Sequence, residues 1–166
     1  MGFYIKAQDM YKKQINGLMY KAYSYNTSGS FYTFQLLFNK LQIKFACFKT
    51  ILLINDGKKY KVSMANNISL KSIDTLESSK DFWDGTYLTQ NSLTCFTNLS
   101  LLPFRQLFTI NDNDDIDSLY IERYSVNNNN FINILSPLKN SKNTYKNILH
   151  LNNDVKFLTK YFSDTF

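Results

Sequence analysis

The spacing of apolar positions changes along the chain. Met10, Tyr11, Ile15, Leu18, Met19 and Ala22 recur at three- and four-residue steps, with Lys12, Lys13, Gln14 and Lys21 on the other side. That spacing predicts an amphipathic helix and an N-terminal helical arm over 1–25. Residues 24–30 form a Ser/Asn/Thr/Gly cluster and mark a boundary. Beyond it the period drops to two. Tyr32, Phe34, Leu36 and Phe38 alternate with Thr33 and Gln35, and Leu41, Ile43, Phe45 and Cys47 with Gln42 and Lys44. Both runs predict half-buried strands joined at Asn39-Lys40, with Cys47 as a small core hydrophobe.

The strongest local signal lies in 50–64. An apolar run, Asp56-Gly57, and alternation of Tyr60, Val62 and Met64 with Lys59 and Lys61 predict a β-hairpin. Gly57 suits a turn position at positive φ. The lysines around the tip have two readings, an edge strand guarded against aggregation or a basic hairpin set against phosphates. Residues 65–81 are polar and predict a long loop or a broken helix. A second strand-rich block holds Phe82-Trp83, an Asp84-Gly85 turn and the apolar stretch Leu99–Ile110 around Pro103, with Trp83 in the core. The acidic string 111–117 fails the calcium-loop test, because Ile116, Asp117 and Arg123 occupy positions that need a ligand, glycine and glutamate, and it reads as a solvated loop. The asparagines 127–130 predict a turn between strands near 119–126 and 131–135. Val155, Leu158 and Phe162 predict a short closing helix.

These elements predict a mainly β protein, a small OB/SH3-like barrel or sandwich with an N-terminal amphipathic helix and a short C-terminal helix. The expected organisation is a β-barrel domain over 26–112 and a smaller β/α region over 113–166.

Composition narrows the chemistry. One histidine, His150, and two cysteines, Cys47 and Cys95, leave little for His-based catalysis, a disulfide framework or a paired-cysteine zinc site among the 166 residues. No nucleophile-elbow, phosphate-loop, dinucleotide or zinc-protease motif occurs. The expectation is a non-enzyme with no catalytic residue, metal or cofactor and no small-molecule substrate. No apolar stretch reaches the length of a membrane span. Asn, Lys, Phe, Ile and Tyr supply 76 residues, and Lys outnumbers Arg 17 to 2. Physical chemistry does not demand this bias, since Arg binds phosphate better, and AT-rich coding, as in protist mitochondria, plastid remnants, some large DNA viruses and a few parasites, explains it. Net charge is +6, distributed as +8 over 1–80, −5 over 81–130 and +3 thereafter. A basic front half suits phosphate contact.

The segment TILLINDGKKYKVSM resembles the strand–turn–strand of the universal large-subunit ribosomal protein number two. Asn26 to Gly29, the basic aromatic stretch Lys40–Lys49, and Thr97–Pro103 are similar to further parts of that family. The resemblance implies a highly diverged mitochondrial ribosomal protein whose OB-type barrel binds ribosomal RNA. The family's glycine-rich loop and histidine–glycine C-terminal segment are missing, so no role near the peptidyl-transferase centre carries over.

The expectation is therefore a structural subunit of an organellar ribosome, made and used in the mitochondrial matrix, with ribosomal RNA and neighbouring ribosomal proteins as partners. Lys12, Lys13, Lys40, Lys44, Lys58, Lys59 and Lys61 are its candidate RNA-binding residues. The alternatives are an accessory subunit of a mitochondrial respiratory or ATP synthase complex, and a viral interaction protein.

Overall fold

The computed structural model describes residues 28–44, 47–85, 88, 91–139 and 144–163. The N-terminal arm, with Lys12 and Lys13, lies outside them. The described chain runs α1 (Ser28–Lys44), β1 (Cys47–Asn55), β2 (Tyr60–Asn66), α2 (Leu70–Ser78), α3 (Lys80–Asp84), β3 (Thr94–Thr97), a 3-10 helix (Asn98–Leu107), α4 (Ile110–Asp114), β4 (Ser118–Val126), β5 (Asn129–Pro137) and α5 (Thr144–Tyr161). The strands form one five-stranded sheet in the order β2-β1-β5-β4-β3, and every pairing is antiparallel. The sheet is open, not a barrel, and helix outweighs strand, 49% to 31%. The coarse expectation of an antiparallel sheet with flanking helices holds; a mainly β chain does not.

Helices cover both faces of the sheet. On one face Phe34, Leu37, Phe38 and Leu41 of α1 and Ile148, Leu151, Val155 and Leu158 of α5 bury Leu52, Ile54, Phe131 and Leu135. On the other, Leu76, Trp83, Leu101, Phe104 and Leu107 bury Ile51, Leu53, Ile121, Ile132 and Ile134. This explains the unbroken apolar run of β1. A strand buried on both sides has no polar face to alternate with. It also joins segments expected to be separate in sequence, since β1 pairs β5 from Cys47↔Pro137 to Asn55↔Asn130.

Residues 32–44 are helical where two strands were expected. Positions 32, 34, 36 and 38 satisfy period two, but 34, 37, 38 and 41 satisfy the helical period equally well. The helical set is the buried one, while Tyr32 and Leu36 are exposed. No Gly or Pro interrupts 31–44, and Asn39-Lys40 carries no glycine to turn a tight hairpin. The stretch 98–107 is also helical. Leu101, Phe104 and Leu107 repeat every three residues, which a 3-10 helix turns to one side. Thr97 and Ser100 start it with a reciprocal capping box.

The 50–64 hairpin forms as predicted, with Leu52↔Met64 and Asn55↔Tyr60 among its pairs and a bulge at Leu52/Leu53. So does the hairpin around the asparagine run, with Val126↔Asn129 at its end. Trp83 is fully buried, but in α3, its indole N–H donating to the Leu76 carbonyl at 3.1 Å. Gly85 caps that helix, its N–H reaching the Asp81 carbonyl at 3.0 Å. No helix among the described residues is long and apolar enough to cross a membrane.

Candidate nucleic-acid interface

The tip of the first hairpin is ordered by its own side chains. The Asn55 side-chain oxygen accepts the Gly57 N–H at 2.9 Å. One Asp56 carboxylate oxygen accepts the N–H groups of Lys58 and Lys59 at 3.0 and 3.1 Å. Those two backbone bonds hold the Asp56 carboxyl below its ordinary pKa. Gly57 sits at φ +94°, where a side chain would strain the backbone. The result is a fixed turn presenting the exposed side chains of Lys58, Lys59 and Lys61. None of the three forms an ion pair among the described residues.

The register shows what shares this end of the sheet. Asn55 lies opposite Asn130, so the two hairpin tips are neighbours. The second tip turns through Asn127 and Asn128 at φ 50° and 68°. Its Asn127 amide donates to Ser163, just past α5, at 2.8 Å. The last turns of α5, with Lys156 and Lys160, therefore belong to the same end. From β2 to β4 is three strand spacings, roughly 14 Å. Asp84, also on this side through the Tyr60 hydroxyl at 2.9 Å, is neutralised by Lys80 at 2.9 Å.

Lys40 and Lys44 do not join them. Both precede β1, whereas the hairpin tip follows it, and nine strand residues separate the two ends by roughly 27 Å. Lys40 is exposed on α1 near the far end. Lys58, Lys59 and Lys61 thus come together out of the seven candidate lysines, and Lys156 and Lys160, which were not among the candidates, reach the same end because α5 returns across the sheet.

Beneath Lys156 runs a continuous buried polar chain. The Tyr124 hydroxyl donates to Asn133 at 2.8 Å, the Asn133 amide to Asn152 at 2.9 Å, and the Asn152 amide to Glu122 at 2.9 Å. The Lys156 ammonium donates to the other Glu122 oxygen at 2.5 Å. Every amide and ammonium donor points toward the Glu122 carboxylate, which is 4% exposed. Thr159 touches the Tyr124 oxygen at 3.1 Å, and burial raises the Tyr124 pKa. This chain pins α5 to β4 and β5 and fixes the position of Lys156.

A cleft of about 290 Å³ opens beside it, between the end of β4 and α5. Asn153, Lys156, Phe157 and Lys160 line one wall, and Asn91, Tyr124 and Val126 complete it.

The opposite end of the sheet holds the acidic string 111–117 together with Lys49 and Lys139, and that string is not a solvated loop. Asp112 is buried in α4 and accepts from the hydroxyls of Ser72 and Ser69 at 2.6 and 2.7 Å, the Ser69 N–H at 3.1 Å and buried Lys49 at 3.2 Å. Burial works against its charge, but the hydroxyls, the N–H and Lys49 together outweigh it and hold the carboxyl at about 2. Lys49 also meets Asp115 at 3.5 Å, and Lys139 meets Asp117 at 3.6 Å. Among the described residues no group of three or more His, Cys, Asp or Glu is placed to hold a metal. No family model, curated protein or solved structure matches this chain.

Proposed function

We propose that this chain is a non-catalytic structural subunit that contacts RNA, and that its assembly is an organellar, mitochondrial ribosome working in the matrix. The observation carrying the RNA reading is the turn of the first hairpin, which presents Lys58, Lys59 and Lys61 with no ion pair among the described residues at the end of the sheet that Lys160 also reaches. Lysines on a turn whose backbone is already fixed can neutralise phosphates without ordering the chain, and such binding needs no catalytic group. The organellar part rests on the AT-rich composition and on the resemblance of 50–64 to a ribosomal strand–turn–strand. Exposed Leu99 and Leu102, one turn apart on the 3-10 helix, support protein neighbours as further partners.

The test is binding to single-stranded RNA over a salt series. Replacing Lys58, Lys59 and Lys61 together by Ala should weaken binding and flatten the log–log salt slope by about 2, at roughly 0.7 per phosphate contact. Affinity unchanged in the triple variant, with no salt dependence, overturns the reading. In organelle extracts the protein should sediment with ribosomal particles and be released by nuclease. Retention in a detergent-solubilised membrane complex after nuclease would favour a respiratory subunit instead.

A further inference from the structure

We propose that the cleft between β4 and α5 is a subsite for one nucleotide unit, with the base against Phe157 and the phosphate at Lys160. This names the ligand at the basic pole and rests on the RNA reading only for the source of that unit, not for its chemistry. Three observations converge. The volume, about 290 Å³, lies at the small end of ligand sites and suits one ring and its phosphate. Asn153, Lys156, Phe157 and Lys160 occupy positions i, i+3, i+4 and i+7 of α5, so one helix face supplies amide, cation and aromatic ring together. Phe157 pairs with half-exposed Tyr161 at a centroid distance of 4.5 Å, which extends the aromatic surface past the cleft and interleaves it with the lysines. Aromatic faces bordered by cations are the common platform for single-stranded bases.

The two lysines are not equivalent. Lys156 is held at 2.5 Å by Glu122 and lies 5.5 Å from the Tyr124 ring centroid, so its charge is largely compensated. Lys160 is exposed and has no acid partner among the described residues, leaving its charge for a phosphate. Asn91 also lines the cleft. Its backbone is fixed at φ 62° and by the N–H bond to the Arg123 carbonyl at 2.7 Å. The Asn91 and Asn153 amides each offer a donor and an acceptor, which a base edge can use in any of several pairings. The subsite should therefore prefer a base-plus-phosphate unit over either part and discriminate weakly among bases.

The experiment titrates the full chain calorimetrically with adenosine 5′-monophosphate, adenosine, inorganic phosphate and a six-nucleotide single-stranded RNA. The expected order places the monophosphate above adenosine and phosphate. Lys160→Ala should weaken monophosphate binding about fivefold and Phe157→Leu about tenfold, the scale of one lost base stack. The hairpin variant lacking Lys58, Lys59 and Lys61 should bind the monophosphate like the parent. Should Phe157→Leu shift the urea midpoint, Lys160→Ala, at an exposed position, carries the test alone. A six-mer binding tighter than the monophosphate, and weakened by Lys160→Ala, assigns an RNA strand as the source; equal affinities assign a free nucleotide. No monophosphate binding at millimolar concentration, or binding indifferent to both cleft substitutions, overturns the subsite. RNA binding that survives this result leaves the RNA reading standing, and RNA binding lost only in the hairpin variant does the same.

Discussion

The Lys49–Asp112 pair is the most exacting test of how this fold is held together. Asp112→Asn keeps shape and volume but removes the charge that four donors converge on. The folded carboxyl is held at about 2 against an ordinary value of 3.8, which makes roughly 2 kcal/mol of stability depend on its charge. The substitution also turns one oxygen into an N–H donor facing donors, and it strands the Lys49 ammonium, 3% exposed, on the Asn67 carbonyl and the longer Asp115 contact. A total loss of about 3 kcal/mol follows. With a urea slope near 2 kcal/mol/M, the midpoint should fall by about 1.5 M. The pH dependence carries a definite sign. The folded pKa is depressed, so the contribution is complete above about pH 4–5 and is lost as pH falls from about 4 toward 2. The gap between parent and variant should therefore narrow across that window. A midpoint shift below about 0.3 M at pH 6, or a gap constant from pH 6 to pH 2, refutes the reasoning.

Three further outcomes are expected. Trp83→Ala removes a fully buried indole and its bond to Leu76, and should cost about 4 kcal/mol by urea titration; in the parent the single tryptophan should fluoresce at short wavelength and resist quenching by iodide. Gly57→Ala meets no neighbouring atom within 4 Å but forces a side chain onto φ +94°, so it should cost about 1 kcal/mol and lower Tm by roughly 3 °C. Glu122→Gln presents an amide to the Asn152 and Lys156 donors and should cost about 2 kcal/mol, discounted because Lys156 is one-third exposed; hydrogen exchange should show α5 opening before the β1–β2 hairpin.

Legibility in the sequence followed how local the deciding interactions are. Both hairpins were readable because their turn residues decide them within a few positions: Asp56-Gly57 in one, and Asn127-Asn128, residues tolerant of positive φ, in the other. Helix α1 was misread because its apolar residues fit two periods at once, and only burial against α5 and β1 selects one. The 3-10 helix escaped because period three is neither of the two usually sought. Asp112 looked solvated because its partners are Lys49, Ser69 and Ser72, which stand 40 or more residues away. Glu122 gave no signal for the same reason, with Asn152 30 and Lys156 34 positions distant. A buried carboxylate is marked by what surrounds it, and in this chain the surroundings are tertiary.

Lysines that are far apart along the chain become neighbours through the antiparallel register. The β1–β2 hairpin brings Lys58, Lys59 and Lys61 to one end, beside the β4–β5 turn, and α5 returns to deliver Lys156 and Lys160 there. The acidic block instead precedes β4 and is left at the other end, where Lys49 and Lys139 absorb part of it. The two ends lie roughly 27 Å apart, well over the screening length of about 8 Å at physiological salt. At that separation an anionic partner at the hairpin turn feels little of the carboxylates of 111–117. Under the proposed function the chain would meet RNA end-on, through hairpin turns and the last turns of α5. That orientation leaves the 3-10 helix, with Leu99 and Leu102, free to face a protein.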